Sequence, residues 1–258
     1  MDKLLTPAPR LTPTRGPKDG AELLRGLFAD QLRNYPDWYL EDRARESDIR
    51  RLLDVFERYR PYLPSRGRFL DWGCHHAPDA CLIRNALGDE PELYGCDFAQ
   101  PGLFPAFHGY AGMEYTQLDA AYRMPYDDAA FDVVVGAGVV EHTANDSESL
   151  KELHRVITDG GLLVMTFVPN RRSYTEFLGR HLKSGRAHRR PYGRAEIHRL
   201  LLHHGFIPEA IGYHQMIPRQ PEALTAHLWS LNAALERTRP VSWLSSNLMV
   251  IARRALTI

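Results

Sequence analysis

The stretch that decides the fold reads Phe69-Leu70-Asp71-Trp72-Gly73-Cys74. Two apolar residues followed by an acid and a glycine are typical of a buried strand that ends in a tight loop. Pro78 and Asp79 then begin a predicted helix that Gly88 ends, because proline suits the first turn of a helix and glycine the position after its last turn. In a doubly wound sheet the ligand lies outside the carboxyl ends of the strands, so the loop at Gly73 is the expected ligand contact.

Short apolar runs alternate with helical patterns along the rest of the chain. Near-continuous apolar strands separated by helices predict a mostly parallel sheet that is covered on both faces. We therefore predict an α/β fold, a Rossmann-like doubly wound sheet of seven strands, in which the last two strands flank a helix over Glu222–Arg237. The strands after the first are predicted at Leu93–Cys96, Tyr115–Leu118, Val133–Val135, Leu162–Val168, Ile207–Tyr213 and Leu248–Ala252.

Residues 41–258 are expected to form one domain, preceded by an arm over residues 1–40. Met1–Gly20 contains four prolines and two glycines without periodicity, which predicts a mobile arm. Trp38 and Tyr39 are either a lid over the ligand or ordinary packing residues. The helix that follows has one apolar face, formed by Ile49, Leu52, Leu53 and Phe56.

The composition excludes several classes of protein. The 258 residues are 44% apolar and carry no net charge, so the chain lacks the basic field of a non-specific nucleic-acid binder. Three cysteines are too few for a disulfide framework and predict reduced thiols in a cytoplasmic protein. No signal peptide is evident, and the most apolar windows are too short to span a bilayer.

The predicted ligand is a nucleoside without a pyrophosphate. Asp97 follows Gly73 by 24 residues at the end of the second strand, where a carboxylate can accept hydrogen bonds from ribose hydroxyls. A dinucleotide site needs a second glycine where His75 stands, so that the backbone can approach the phosphates. Pro78 also removes an N–H from the helix end that would bind an anion.

Six further stretches follow the first strand in a fixed order: Tyr94-Gly95-Cys96-Asp97, Leu118-Asp119-Ala120, Met124-Pro125-Tyr126, Phe131–Val135, Val140-Glu141-His142 and Gly160–Val164. Together with Phe69–Cys74 they resemble the motifs of class I S-adenosylmethionine-dependent methyltransferases, over roughly residues 66–206. The resemblance implies S-adenosylmethionine as methyl donor and a cofactor site formed by Asp71, Gly73, Cys74, His75, Asp97, Phe98, Asp119, Ala120 and Gly136.

The loop after the first strand departs from the family pattern. Family members usually place glycines where His75 and Ala77 stand. A non-glycine residue costs about 1 kcal/mol at each position if the backbone φ is positive there. The loop therefore follows the family's tight path at a cost, or takes another path, and a member that binds the cofactor without catalysis is the lesser alternative.

Candidate acceptor residues follow the fourth strand and the fifth. His142 is the predicted general base, because imidazole titrates near neutral pH, and Glu141 lies beside it; packing and capping are the alternative roles. The stretch His188–Tyr192 resembles one found in quinone-type and sugar-type methyltransferases, in which His188 and Tyr192 meet the acceptor or pin the loop. Glu141, His142 and Asp146 near Asp119 could hold Mg²⁺, as in some sugar O-methyltransferases.

The acceptor is predicted to be a small molecule, with a sugar or polysaccharide-precursor hydroxyl ahead of a phenolic or quinone-like one. A non-catalytic, cofactor-binding partner subunit is the alternative from another class, and a homodimer is left open. Residues 171–199 hold nine Lys/Arg and two acids, which indicates a solvated helical face or an anionic acceptor. A nucleic-acid substrate is disfavoured by the neutral charge and the lack of an RNA-binding motif.

Overall fold

A computed structural model of the chain describes residues 19–120, 122–181, 188, 190–218 and 222–256. Within them lie seven strands: β1 Gly67–Trp72, β2 Pro91–Asp97, β3 Glu114–Gln117, β4 Phe131–Ala137, β5 Ile157–Pro169, β6 Phe206–His214 and β7 Asn247–Arg254. The α-helices are α1 Gly20–Asn34, α2 Trp38–Arg43, α3 Glu46–Tyr59, α4 Pro78–Leu87, α5 Pro105–Ala111, α6 Asp146–Val156, α7 Tyr174–His181, α8 Arg194–His203 and α9 Glu222–Arg237.

The strands form one sheet in the order β3-β2-β1-β4-β5-β7-β6. The first five strands in this order pair in parallel, and β7 runs antiparallel to both of its neighbours. The predicted doubly wound sheet of seven strands is thereby confirmed, with α9 between the last two strands. The strand order reverses between β1 and β4, so their carboxyl ends mark the expected ligand position.

Alternate residues of the central strands fill two apolar layers, one on each face of the sheet. Phe69 and Val133 point into the layer covered by α1, α3, α4 and α5, whereas Leu70 and Val134 point into the layer covered by α6 and α8. Successive side chains of a strand face opposite sides, so a strand covered on both sides must be apolar throughout. This explains why the runs seen in the sequence are continuous.

The N-terminal segment differs from the predicted mobile arm over residues 1–40. Residues 20–34 form α1, and its Leu23, Leu24 and Phe28 are buried in the core. Asp19 caps this helix by accepting a hydrogen bond from the Ala21 amide (3.2 Å). The apolar residues recur at helical spacing, and burying such a stripe stabilises the helix. Residues 1–18 of the arm lie outside the described residues.

Across the residues that the structure describes, we find no helix with the length and apolar character needed to cross a bilayer.

Candidate active site

The loop after β1 turns tightly at Gly73, under the segment that follows β4. Gly73 has φ +67°, and a Cβ added there would lie 2.7 Å from the Val139 side chain. The Gly73 and Cys74 amides both donate to the Cys96 carbonyl (2.8 and 3.1 Å), which ties the loop to the neighbouring strand. Glycine is required here by both its backbone conformation and the close approach of Val139.

The loop keeps left-handed backbone conformations at the two positions where the family usually has glycine. His75 has φ 46° and Ala77 has φ 56°. The His75 ring packs 4.4 Å from the Phe104 ring and 5.1 Å from the Tyr39 ring, between centroids. His108 Nε2 lies 2.8 Å from the His75 carbonyl oxygen. These contacts hold a backbone that side-chain-bearing residues rarely adopt.

Asp97, the predicted ribose ligand, lies at the carboxyl end of β2. Its carboxylate accepts hydrogen bonds from the amides of His75 (2.9 Å) and Ala99 (3.0 Å). An ionised carboxylate has about four acceptor positions, so it can still bind ribose hydroxyls. Phe98 and Asp119 are exposed at the same edge of the sheet. Ala120, which was also predicted to be part of the cofactor site, is exposed as well.

A cavity of about 800 Å³ opens beside this loop, a size typical of small-molecule sites. Asp71, Gly73, Cys74 and His75 line one side of it. Asp97, Phe98, Asp119 and Ala120 are outside its lining. Gly136 is also outside: a Cβ there would lie 2.7 Å from the Trp72 ring, so this glycine permits packing within the core. The cavity therefore brings together four of the nine predicted cofactor residues.

Helices of the N-terminal segment and the ends of β5 and β7 complete the cavity wall. Tyr39 of α2 contributes to it, together with Arg43 and Arg51. Both arginines pair with the buried Asp48 (3.2 and 2.8 Å). Tyr39 was one half of the possible lid, whereas neither arginine was predicted to be part of the site.

Glu141 and His142 lie in a 3-10 helix over Val140–His142, directly after β4. Glu141 is buried and lines the cavity, and its Oε2 has no hydrogen-bond partner. Burial raises the pKa of Glu141 to about 7. His142 also lines the cavity, but its side chain is 70% exposed and its Nε2 is 3.8 Å from Glu141 Oε1. Burial and the nearby His188 lower the pKa of His142.

His188 forms a close pair with Glu176 of α7. His188 Nδ1 lies 2.5 Å from Glu176 Oε1, and the His188 amide donates to the other carboxylate oxygen (3.0 Å). The hydrogen bond from Glu176 raises the pKa of His188. The His142 and His188 rings are 6.2 Å apart, and both line the cavity. Glu176 was not predicted, although it is one of only two acids in a basic stretch.

Tyr192, the last predicted acceptor residue, is buried and outside the cavity lining. Its hydroxyl donates to Asp146 Oδ2 (2.9 Å), and Arg190 lies 3.7 Å from the same carboxylate oxygen. Arg190 also donates to the carbonyls of Thr143 and Ala144 (3.1 and 3.0 Å). This arrangement pins the loop, which was the alternative role considered for the stretch. Arg189, within the same stretch, lies outside the described residues.

The predicted Mg²⁺ ligands do not fit a metal ion. Asp146 accepts a hydrogen bond from Tyr192 and lies 3.7 Å from Arg190, so its carboxylate is already engaged. Over the described part of the chain, no group of three or more His, Cys, Asp or Glu side chains could hold a metal. Mg²⁺ prefers an octahedron of oxygen ligands, which these residues do not supply.

Part of the chain is similar to known methyltransferases. Residues 70–165 match the family model described as "Methyltransferase domain". A "Probable S-adenosylmethionine-dependent methyltransferase" of Mycobacterium tuberculosis is 28% identical over 163 residues, which cover 63% of this chain and 57% of that protein. A "Demethylmenaquinone methyltransferase" of Staphylococcus epidermidis is 33% identical over 98 residues, which cover 37% and 40%. The chain thus spans little more than half the length of the first relative and less of the second.

Among solved structures, a "SAM dependent methyltransferase" from Archaeoglobus fulgidus has the same fold. Its TM-score is 0.59 at 18% identity, over 84% of this chain and all of that chain. The domain match and both relatives indicate a methyltransferase domain. The strand order of the sheet is consistent with it. Residues 70–165 are thus similar to a methyltransferase domain, the relatives that the chain matches are described as methyltransferases, and the solved structure shares the fold.

Proposed function

We propose that this chain transfers the methyl group of S-adenosylmethionine to a hydroxyl group of a small acceptor in the cavity, with Glu141 as the proton acceptor. The observation that supports this most directly is the buried carboxyl of Glu141, whose Oε2 has no partner in the cavity wall. A buried polar atom without a hydrogen bond is costly, and such atoms cluster at functional sites.

Glu141 suits the role of general base better than His142 does. A base works best when its pKa lies near the working pH, and burial raises the pKa of Glu141 to about 7. The His142 side chain also lines the cavity, but it is 70% exposed, so water competes with an acceptor for its ring nitrogens. We therefore assign the role of general base to Glu141 and not to His142, the residue that the sequence favoured.

The residues around Gly73 fit the methyl donor. When bound, S-adenosylmethionine supplies an electrophilic methyl group on a positively charged sulfur. Asp71 at the end of β1 and Asp97 at the end of β2 would hold its amino-acid and ribose portions, respectively. The chain's own task would then be to align the acceptor oxygen and to accept the hydroxyl proton while the O–CH3 bond forms and the S–CH3 bond of the donor breaks, which leaves a neutral thioether.

A sugar or polyol is the acceptor class that we propose. The far wall of the cavity carries uncharged polar groups from Thr175, Gln215, Ser246 and Asn247. The Gln215 and Asn247 amides lie 2.6 Å apart, and the Thr175 and Ser246 hydroxyls 3.1 Å apart. Amides and hydroxyls both donate and accept hydrogen bonds, as the hydroxyls of a polyol do.

A phenolic or quinone-like ring is the second candidate. Phe167, Tyr174 and Leu178 also line the cavity and offer apolar surface to a flat ring. The Staphylococcus epidermidis relative is described as a demethylmenaquinone methyltransferase. A phenol ionises more readily than an aliphatic hydroxyl, so it depends less on a base.

The test is methyl transfer from labelled S-adenosylmethionine to panels of sugars, polyols and phenols. We expect label in a sugar or polyol, and a Glu141→Gln variant at least about a hundredfold slower. Glu90→Gln, which changes an exposed glutamate outside the cavity, is the matched control. Labelling of phenols alone would favour the second candidate. Binding of S-adenosylhomocysteine without turnover on any panel would support the non-catalytic alternative.

A further inference from the structure

Two buried carboxylates face the cavity where it meets α4. Asp71 is 6% exposed and Asp79 is 3% exposed, and both line the cavity. Burial raises the pKa of both, and the charge of Asp79 raises that of Asp71 further. Buried charges are normally paired with an opposite charge. Arg43 and Arg51, two arginines of the cavity wall, both form an ion pair with Asp48.

Tyr59 of α3 fixes the orientation of Asp79. Its hydroxyl donates to Asp79 Oδ1 at 2.5 Å, and both side chains are buried. This bond occupies one carboxylate oxygen and leaves the other for a second donor. Asp79 also lies in the first turn of α4, where the helix dipole favours a negative charge. The N-terminal helical layer therefore takes part in shaping this side of the cavity.

His76 provides an independent indication of a ligand at the same place. It is 6% exposed and lines the cavity, and its Nε2 has no hydrogen-bond partner. Its Nδ1 lies 3.2 Å from His75 Nδ1. In the tautomer in which His76 Nδ1 accepts from His75, Nε2 carries a proton and can donate to a carboxylate. Cationic and anionic portions of an α-amino acid would thus both find a complementary group.

We propose that Asp79 binds the α-ammonium group of the methyl donor together with Asp71, and that Tyr59 is its positioning residue. This inference rests on the proposed function, since it takes S-adenosylmethionine as the ligand. It adds a requirement on the donor: a nucleoside thioether must carry the amino-acid portion to bind well. It also explains why a buried acid stands just after the loop's two residues with left-handed backbone.

The test compares two ligands by calorimetry, S-adenosylhomocysteine and 5′-methylthioadenosine, which keeps the nucleoside thioether but lacks the amino-acid portion. Asp79→Asn preserves the size of the side chain and an oxygen that can accept from Tyr59, and removes only the charge. We expect this variant to bind S-adenosylhomocysteine at least about tenfold more weakly, because a hydrogen bond to a charged group is lost. Affinity for 5′-methylthioadenosine should change by less than about twofold.

The control variant Asp127→Asn removes an exposed charge outside the cavity and should leave both affinities unchanged. Tyr59→Phe keeps Asp79 but removes the hydrogen bond that orients its carboxylate. We therefore expect a smaller loss of affinity, again for S-adenosylhomocysteine only. This variant also serves if Asp79→Asn does not fold. If Asp79→Asn lowered the affinity for both ligands equally, or for neither, the proposed role of Asp79 would be wrong. Failure of the native protein to bind either ligand would instead overturn the proposed function.

Discussion

Replacing Glu141 by Gln should make the protein more stable and less active. In the folded protein, burial raises the pKa of this carboxyl from its ordinary value of 4.5 to about 7. A carboxyl with a raised pKa favours its neutral form in the folded state, whereas the unfolded chain ionises freely. The glutamine variant has no charge to desolvate, so it escapes this cost.

The magnitude follows from the two pKa values. Each pKa unit corresponds to about 1.36 kcal/mol, so ionising Glu141 in the folded state costs about 3 kcal/mol. Below pH 4.5 the carboxyl is protonated in both states, and the cost is absent. As the pH rises from about 4.5 to about 7, the unfolded state loses its proton first, and the free energy of unfolding of the native protein falls. Above about pH 7 the difference is constant.

Urea unfolding at pH 5 and at pH 8 measures the effect. The stability of Glu141→Gln relative to the native protein should increase by about 2 to 3 kcal/mol between these two pH values. Comparing the two pH values removes the cost of burying the amide, which is the same at both. Glu90→Gln should change the free energy of unfolding by less than about 0.5 kcal/mol at either pH.

The activity of the native protein should depend on the same titration. Only the carboxylate accepts a proton, so kcat should rise with pH through about 7 and then level off. The residual activity of Glu141→Gln should lack that rise. If the relative stability of the variant were the same at pH 5 and pH 8, burial would not raise the pKa of Glu141. The physical reason for choosing Glu141 as the base would then be lost.

Four further predictions concern the rest of the site. Asp97→Ala should weaken S-adenosylhomocysteine binding in calorimetry by about 2–3 kcal/mol, because bonds to a charged acceptor are lost; unchanged affinity would place the ribose elsewhere. Ala77→Gly should leave the melting temperature unchanged or raise it, because φ is 56° there and glycine adopts this conformation at no cost; a clear fall would refute strain at this turn. Glu176→Gln should lower the pKa of His188 in an NMR titration, because the hydrogen bond that raises it loses its charged partner. His142→Ala should reduce kcat less than Glu141→Gln does, since its side chain is 70% exposed.

The sequence could predict the sheet because its strands are buried on both faces. Continuous apolar runs such as Phe131–Val135 and Leu162–Val168 leave few alternatives to a parallel sheet. The sequence could also predict that the acids at the carboxyl ends of β1, β2 and β3 lie close together, because parallel strands bring these ends to one edge of the sheet. Helix α1 was missed because its stripe follows a proline-rich segment that suggested an arm.

Which acid would face the cavity could not be read from the sequence. Glu141 and His142 are adjacent in a 3-10 turn and both line the cavity, but only the Glu141 side chain is buried there. Glu176 and His188 meet only because α7 folds over the end of the sheet, across twelve residues of a basic stretch. Burial, which sets the pKa values, is a property of the assembled layers and has no local sequence signal.

The loop after β1, which has His75 and Ala77 in place of glycines, indicates whether the chain still binds a ligand at this site. Left-handed backbone at His75 and Ala77 costs about 1 kcal/mol at each position. A loop that no longer bound a ligand would be expected to adopt a less strained backbone conformation. Here the His75 amide is bonded to Asp97, its carbonyl to His108, and the Ala77 amide donates to the Cys74 carbonyl at 2.6 Å. These bonds hold the backbone on the tight path without glycine. A loop that is kept strained beside a cavity, with His76 Nε2 left unpartnered, is better explained by ligand binding than by decay.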